Sequence, residues 1–248
     1  MAISPAEFAF LRAAHSNGCL AQGGHLLEFG AANVTNLNVI GALEALSLAD
    51  ARISGLVKEA RAVEAERAPG HQFALARMIY KAVFNYRSYT AVDLGDEEHL
   101  AERVRQDLNQ PFDLGRRFDL CINNGTSEHI FNQANFYKAV HDHTSTGGIM
   151  VHWTPGIGWL DHGLFNVQPG FFADLARANG YEIPFGCLAT AESLYPLTNQ
   201  IDDATLGRYP DLRNALICVV LRKTEDAPFR IPMQGMYARL RSAVAVPG

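Results

Sequence analysis

Short apolar runs of strand length alternate with helical patterns along most of the chain. Runs rich in branched and aromatic residues predict strands at residues 25–30, 89–94, 118–123, 148–153 and 214–222. Apolar residues three and four positions apart predict helices at about 37–51, 53–67, 71–87, 127–140 (or from 131) and 171–179. Strands joined by helices form right-handed crossovers into parallel sheets. The pattern therefore predicts an α/β fold, a doubly wound and mostly parallel sheet with helices on both faces.

A further helix is predicted before the first strand. Ser4 and Glu7 have the spacing of a capping box, in which each side chain accepts a hydrogen bond from the other residue's backbone amide. The helix should extend to about His15. Residues 1–20 are expected to form this N-terminal helix, either a lid or a strut, within a single domain spanning 1–248.

Composition and charge limit the classes of protein to consider. The chain has 248 residues, 48% of them apolar and 19% charged, which is ordinary for a globular protein. Its net charge of −5 lacks the basic footprint of a nucleic-acid binder. Apolar runs are too short to span a bilayer and no basic leader begins the chain, so no membrane partner is expected. The four cysteines have no CxxC spacing, which predicts a reduced, cytoplasmic protein.

Polar residues cluster where predicted strands end, the edge at which open parallel sheets bind ligands. These residues are Glu28, Gly30, Asp93, Asn123, Asn124, Glu128, His152 and Asp161. Gly30, followed by two alanines, lets the backbone approach a ligand closely, although an ordinary tight turn explains it equally well. Asp93 ends the second strand, where a carboxylate accepts hydrogen bonds from ribose hydroxyls, and helix capping explains it as well when it is taken alone.

Five segments in this order, LEFGA, AVDLG, QDLNQPF, FDLCINNGTSEHI and TGGIMVHW, resemble the motifs of class I S-adenosylmethionine-dependent methyltransferases with a methyltransferase-11-like core. The resemblance covers about residues 25–222 and implies a Rossmann-like fold. It also implies methyl transfer from S-adenosylmethionine to an oxygen or nitrogen of a small molecule by in-line displacement, with S-adenosylhomocysteine as the product.

The same resemblance implies which residues bind the cofactor. Glu28 and Gly30 would line its methionine portion, Asp93 would hold the ribose, and Asp107 with Leu108 would flank the adenine. The full predicted set is Glu28, Gly30, Ala31, Asn33, Asp93, Leu94, Asp107, Leu108, Asn123, Asn124, Gly125, Glu128 and His129.

Two departures from the family pattern stand out. Ala32 occupies the position of the second glycine of the family's turn. Gly30 and Asp93 also lie much farther apart than the roughly 20 residues expected in a dinucleotide fold. Residues 53–87 are thus interpreted as a helical insertion after the first strand. It either packs on the core, pairs two chains as a homodimer, or caps the substrate.

The segment after the fourth strand supplies the candidates for acceptor chemistry. A histidine is the commonest general base near neutral pH, which favours His162 first and His152 second, although a structural role explains each of them too. The predicted substrate-binding residues are Trp153, Trp159 and Phe165.

No metal site is expected from the sequence. The pair His141 and His143 has a metal-like spacing but ends a helix at the opposite edge of the sheet, where the helix dipole and exposure explain it.

Two alternatives remain open. Ala32 and the long insertion are compatible with a catalytically silent, methyltransferase-like interaction protein. The turn INNG is similar to the NNAG turn of short-chain dehydrogenases and suggests an NAD(P)-dependent oxidoreductase, but the sequence contains neither a Gly-x-Gly-x-x-Gly turn nor a Tyr-x-x-x-Lys motif.

Overall fold

The computed structural model describes residues 2–95, 103–198 and 201–243 of the chain. Its strands are β1 (Ala2–Ile3), β2 (His25–Phe29), β3 (Asn33–Val34), β4 (Ser88–Asp93), β5 (Arg103–Arg105), β6 (Phe118–Asn124), β7 (Thr144–Ile157), β8 (Glu182–Ala189), β9 (Leu194–Pro196) and β10 (Ala215–Arg222). Its α-helices are α1 (Pro5–Ser16), α2 (Val39–Ser47), α3 (Ile53–Glu66), α4 (His71–Phe84), α5 (Gln133–His143), α6 (Phe171–Asn179), α7 (Asp203–Arg208) and α8 (Gly235–Ala243). Short 3-10 turns cover Ser127–His129 and Pro210–Asn214.

The main sheet confirms the predicted doubly wound α/β fold. Its strand order is β5-β4-β2-β6-β7-β10-β8-β9. The five strands from β5 to β7 are mutually parallel, whereas β10 runs antiparallel to both β7 and β8. The order differs from the 3-2-1-4-5-6 order of classic dinucleotide folds because β10, the last strand along the chain, lies between β7 and β8.

Helices cover both faces of this sheet, as the apolar pattern predicts. One core joins α1, α2, α3 and α4 to a face that includes Leu26, Tyr89 and Ile122. The other joins α5 and α6 to the opposite face, which includes Leu27 and Phe29. Side chains alternate between the faces of a strand, so strands covered on both sides consist largely of continuous apolar runs. None of the helices in the described ranges combines the length and apolar composition needed to cross a bilayer.

The residues predicted as an insertion include part of the main core. Helix α4 lies in the crossover from β2 to β4, and its Ile79, Tyr80, Val83 and Phe84 are all fully buried. Helix α3 packs outside it against α2 and α4 and buries only Ile53 and Ala60. Of the three interpretations offered for residues 53–87, packing on the core therefore describes α4.

The N-terminal helix is a strut. The capping box is present, with the Ala6 amide donating to Ser4 Oγ over 3.2 Å and the Ser4 amide donating to Glu7 Oε2 over 3.0 Å. Phe10 is fully buried, with its ring centroid 5.9 Å from those of both Trp153 and Phe185. Because α1 packs on the sheet through such contacts, it is not placed to open and close.

Several elements were not predicted, for local reasons. Strand β8 contains Pro184 and Gly186, residue types that are depleted in strands. Strand β7 begins at Thr144 and continues through Pro155 and Gly156, beyond its predicted limits of 148–153. Its pairing partner β10 has a register irregularity opposite this stretch. Tertiary pairing therefore overrides the local propensity of these segments.

The exposure predicted for His141 and His143 is wrong, because the two side chains are 2% and 1% exposed. His141 contacts the Ala227 carbonyl through Nε2 at 2.7 Å and the Tyr181 hydroxyl through Nδ1 at 2.5 Å. His143 contacts a carbonyl of its own helix through Nδ1 and accepts the Leu114 amide at Nε2. Burial lowers the pKa of both rings. All four ring nitrogens have protein partners, so these are neutral structural histidines.

A buried lysine caps the carboxyl end of α5. Lys223 is 1% exposed and its Nζ donates to the carbonyls of His141 at 3.0 Å and Thr144 at 3.2 Å. These carbonyls lie where α5 ends and β7 begins, and a cation there is favoured by the helix dipole.

We predict that Lys223→Met destabilises the protein by about 2–4 kcal/mol, because the apolar stem is retained while two buried carbonyls lose a charged donor. Urea denaturation measures the change. Lys138→Met, which removes an exposed ammonium paired with Asp142, is the matched control and should stay within about 0.5 kcal/mol of wild type. Equal effects of the two substitutions would contradict the capping role.

Candidate functional site

The carboxyl ends of β2, β4 and β6 meet at one edge of the sheet, and hydrogen bonds join the turns that follow them. The Ala31 amide, after β2, donates to Asp93 Oδ2 at the end of β4 over 2.8 Å. The Thr126 hydroxyl, after β6, donates to the Phe29 carbonyl at the end of β2. The structure thus brings together the first, second and third turns that the sequence placed at this edge.

The first turn has the conformation that a glycine is needed for. Gly30 has a φ of +82°, and its amide donates to the Val92 carbonyl over 2.7 Å. Ala31 and Ala32 are buried, at 5% and 2% exposure. The chain then continues through Asn33 into β3, which pairs with β1, instead of entering a helix directly. Ala32, at the second-glycine position, therefore packs into the core.

Glu28 is fully buried beneath this turn. Tyr80 donates its hydroxyl proton to Oε1 over 2.7 Å, and the Tyr89 hydroxyl donates to Oε2. Asn124 donates to the Tyr80 oxygen, and the Trp153 indole donates to Asn124. Desolvation raises the pKa of Glu28 to about 7 despite the two tyrosines. The side chains of Glu28, Asn124 and Trp153 thus form a closed network inside the core that does not reach the open edge.

Asp93 keeps its carboxylate at the edge. It is half-buried, and its oxygens accept the amides of Ala31 and Gly95 over 2.8 and 2.9 Å. An ionised carboxylate offers about four lone-pair directions, so within the described part of the chain two remain for a ligand's hydroxyls. Leu94 beside it is 60% exposed.

The predicted adenine pair lies just beyond β5. Asp107 is half-buried and accepts the backbone and side-chain N–H groups of Asn109 on Oδ1, over 2.9 and 3.1 Å. Leu108 is 5% exposed and packs with the core on the α5 side. The Asp107 carboxylate therefore retains acceptor capacity, whereas the Leu108 side chain is committed to packing.

Asn123 builds the turn that carries the next polar residues. Its Oδ1 accepts the amides of Thr126 and Ser127 over 3.3 and 3.1 Å, and its Nδ2 lies 3.2 Å from Nδ1 of His152. Its side chain is therefore used within the protein. Gly125, with a φ of +58°, completes the turn.

His152 is 1% exposed and lies beside the rings of Tyr137 and Phe172. Burial lowers its pKa to about 3, so the imidazole is neutral over the physiological range. The geometry opposes the base role predicted for it and favours the structural alternative.

Glu128, His129 and His162 converge at the open edge. Glu128 is 1% exposed, and neither carboxylate oxygen has a hydrogen-bond partner among the described residues. His162 Nε2 lies 3.6 Å from Oε1, and the His129 and His162 ring centroids are 5.3 Å apart. Burial raises the pKa of the Glu128 carboxyl to about 7. Glu128 and His129 are adjacent in the turn after β6, whereas His162 comes from the loop after β7, and the sequence did not predict that the three form one cluster.

The loop after β7 folds over Glu128. The amides of Leu164 and Phe165 donate to the Glu128 carbonyl over 2.7 and 3.2 Å. An added Cβ at Gly163 would lie 3.0 Å from that same carbonyl oxygen, so a glycine permits the close approach. Trp159, with a φ of +56°, brings its ring centroid to 5.0 Å from that of His162. The loop is thereby held in the position that presents His162.

Exposed apolar side chains surround this cluster and form what we term the apolar rim. Its members are Phe131 at 76% exposure, Leu160 at 90%, Leu164 at 61% and Phe165 at 36%. The rings of Phe131 and Phe165 are 6.1 Å apart. Phe131 was not predicted as a site residue, and its only signal in the sequence is a bulky apolar side chain directly before the Asn132 cap of α5.

A cleft of about 410 Å³ lies elsewhere, along the start of α2 and the facing parts of α3 and α4. Its walls include Asn36, Asn38, Glu64, Arg67 and His71. None of the residues predicted for the site lines it.

No family model and no curated protein matches the chain. Solved structures with a similar fold include an S-adenosylmethionine-dependent methyltransferase from Mesorhizobium loti, at 16% identity and a TM-score of 0.46, covering 88% of this chain and 97% of that one. They also include the N-methyltransferase NodS from Bradyrhizobium japonicum WM9 in complex with S-adenosyl-L-homocysteine, at 11% identity and a TM-score of 0.47, covering 90% and 89%. The [4+2]-cyclase SpnF has 11% identity and a TM-score of 0.49, covering 89% and 82%. Because folds host several activities, function has to be inferred from the site itself.

We predict that Glu28→Gln weakens the pH dependence of stability. A carboxyl whose pKa is raised from 4.5 to about 7 on folding contributes stability below pH 4.5 that is lost as the pH rises through 7. At pH 8 the substitution should recover roughly 3 kcal/mol of this loss, because the glutamine amide can accept from one tyrosine and donate to the other.

Urea denaturation at pH 5 and pH 8 measures this difference between variant and wild type. Glu59→Gln, on the exposed side of α3, is the control and should change neither value. An unchanged slope in Glu28→Gln would mean that the carboxyl is ionised in the folded protein at both pH values.

Proposed function

We propose that the protein is an S-adenosylmethionine-dependent methyltransferase that acts on an oxygen or nitrogen of a small molecule. The observation that carries the proposal is the bond from the glycine turn's Ala31 amide to Asp93, which fixes a carboxylate beside a tight turn at the strand ends. Both features suit a nucleoside-containing ligand. The turn offers a backbone that the ligand can approach closely, and the carboxylate can accept hydrogen bonds from the ribose hydroxyls.

The residues at the edge fit such a ligand. Asp93 has spare acceptor capacity for ribose hydroxyls, and Asp107 has it for an exocyclic amine. Gly30 and Ala31 present backbone where the methionine portion would lie, while Glu28 supports that turn from below. Bound S-adenosylmethionine would supply an electrophilic methyl group and become S-adenosylhomocysteine once an acceptor oxygen or nitrogen has taken that methyl and lost a proton.

The acceptor would bind over the cluster at the loop after β7. His162, with 40% of its side chain exposed, is placed to take the acceptor's proton, while Trp159 and Phe165 provide apolar contacts. His129 is exposed beside the same turn and would contact cofactor or acceptor.

The two alternatives have less support. In an NAD(P)-dependent oxidoreductase of the short-chain type a tyrosine would act at this edge, but Tyr137 is 4% exposed and bonded to Ser127. A silent interaction protein would not require the exposed imidazole of His162 next to a buried carboxylate that has no hydrogen-bond partner among the residues the structure describes.

We further propose a cytoplasmic location, with a small molecule as the partner and no role for nucleic acid or membrane. Free thiols support this, since the three buried cysteines, Cys121, Cys187 and Cys218, are unpaired. A homodimer formed through residues 53–87 stays a prediction, for which the exposed side of α3 is the available surface.

We predict that S-adenosylmethionine and S-adenosylhomocysteine raise the melting temperature, whereas NAD and NADP do not. At about a hundred times its dissociation constant a ligand adds roughly 2.7 kcal/mol, which is a shift of several degrees. Asp93→Asn should weaken S-adenosylhomocysteine binding by about 1.5–3 kcal/mol in calorimetry. Asp203→Asn, at an exposed position on α7, is the control. A shift with NAD or NADP alone, or with none of the four, would contradict the proposal.

We predict that His162→Gln lowers turnover at least about 10²-fold while S-adenosylhomocysteine binds as in wild type, because the imidazole lies on the acceptor side. The measurement is S-adenosylhomocysteine release over a panel of small phenols, carboxylates and amines. His152→Gln is the comparison variant, and we expect it to lower the stability of the fold because His152 is buried. Full activity of His162→Gln would remove His162 from the chemistry.

A further inference from the structure

Two buried glutamates near this edge, Glu28 in β2 and Glu128 in the turn after β6, differ in their hydrogen bonding. Glu28 is 0% exposed and accepts hydrogen bonds from the hydroxyls of Tyr80 and Tyr89. Glu128 is 1% exposed, yet both of its oxygens lack a hydrogen-bond partner among the described residues. A buried carboxylate is costly unless it is paired, hydrogen-bonded or bound to a metal. Glu128 therefore lacks a partner that Glu28 has.

Two imidazoles lie close to this carboxylate. One ligand atom each from Glu128, His129 and His162 can be chosen so that all lie within 4.8 Å of one another. His162 Nε2 is 3.6 Å from Glu128 Oε1, too long for a hydrogen bond. A dyad of these two residues would also leave the second carboxylate oxygen without a partner.

The spacing suits an ion between the three groups. Zinc binds imidazole nitrogen and carboxylate oxygen at roughly 2.0–2.2 Å, which separates neighbouring ligand atoms in a tetrahedral site by about 3.4 Å. The separation of 3.6 Å between His162 Nε2 and Glu128 Oε1 is close to this value. His129 and His162 are both exposed, so their rings can turn toward the ion without disturbing the core.

We propose that Glu128, His129 and His162 bind one divalent transition-metal ion of the zinc class. Two imidazoles and one carboxylate are ligands that such ions favour, and three protein ligands leave at least one coordination position for another molecule. Asn123 fixes the turn that carries Glu128 and His129, and the loop after β7 brings His162. The apolar rim then surrounds the open position.

The ion would change one part of the methyl transfer, and this consequence rests on the function proposed above. An acceptor oxygen or nitrogen bound to the ion would lose its proton to solvent more readily, since a bound divalent cation lowers the pKa of its ligand. His162 would then be a ligand and not the base.

Metal binding is measured directly on the full chain, without cofactor or acceptor. The protein is treated with a chelator, dialysed, and titrated with Zn²⁺ in a calorimeter and with Co²⁺ by visible absorption. We expect one ion per chain and a Co²⁺ spectrum typical of a four- or five-coordinate site. Glu128→Gln, His129→Gln and His162→Gln should each weaken Zn²⁺ binding more than about 100-fold, beyond the loss typical of residues that only support a ligand.

His25→Gln is the matched control, because His25 is exposed and begins β2, at the opposite end of the strands. It should bind Zn²⁺ as wild type does. Circular dichroism and urea denaturation establish whether each variant is folded. If Glu128→Gln does not fold, the two variants of the exposed histidines still test the proposal.

Three outcomes would overturn the proposal: no stoichiometric binding by wild type, binding retained in the two histidine variants, or equal loss in His25→Gln. S-adenosylhomocysteine binding, measured in parallel, separates the two proposals. Binding of Zn²⁺ without binding of S-adenosylhomocysteine would support the ion site and contradict the proposed methyltransferase function. Binding of S-adenosylhomocysteine without binding of Zn²⁺ would contradict only the ion site.

Discussion

Burial of the strands on both faces is the constraint on which the rest of this structure depends. Polar side chains at the carboxyl ends of such strands lie next to apolar layers, so each needs a partner inside the protein or a ligand outside it. Glu28 has Tyr80 and Tyr89, and Asn123 has the backbone of its own turn. Asp93 is held by two amides and retains capacity for more. The edge is thus divided into groups that support it and groups that remain able to bind.

The same constraint explains how far the sequence predicted the fold. Continuous apolar runs identified β2, β4, β6 and β10, and the capping box located the start of α1 within a residue. These signals are local. Strand β8 contains Pro184 and Gly186 and forms because β10 offers it a partner, which no local pattern expresses. Helix α4 lies in the long interval between Gly30 and Asp93 that predicts an insertion, yet its apolar face covers the sheet.

The sequence located the candidate residues along the strands but did not express the direction of their side chains. Every predicted residue after β2, β4 and β6 lies at the expected edge, because parallel strands end together. Within that edge, successive side chains of a strand alternate between the two faces of the sheet, so neighbouring residues pack in different cores. Trp153 and His152 are adjacent, yet the first enters the core beneath α1 and the second the core beneath α6. Neither could be excluded without knowing which residues pack above them.

The convergence of Glu128, His129 and His162 depends on contacts that are distant in sequence. The turn after β6 sets the first two residues, whereas His162 belongs to a loop whose Leu164 and Phe165 amides donate to the Glu128 carbonyl and whose Trp159 is left-handed. A left-handed backbone at a bulky residue stores strain, and such strain persists where surrounding contacts fix it. The amide contacts on the Glu128 carbonyl therefore hold the loop against this strain, and they keep an exposed imidazole next to a carboxylate that has no hydrogen-bond partner in the described ranges. Under the two proposals, such an edge holds its groups in place before an electrophile or cation binds, and this preorganisation would distinguish it from an ordinary polar turn.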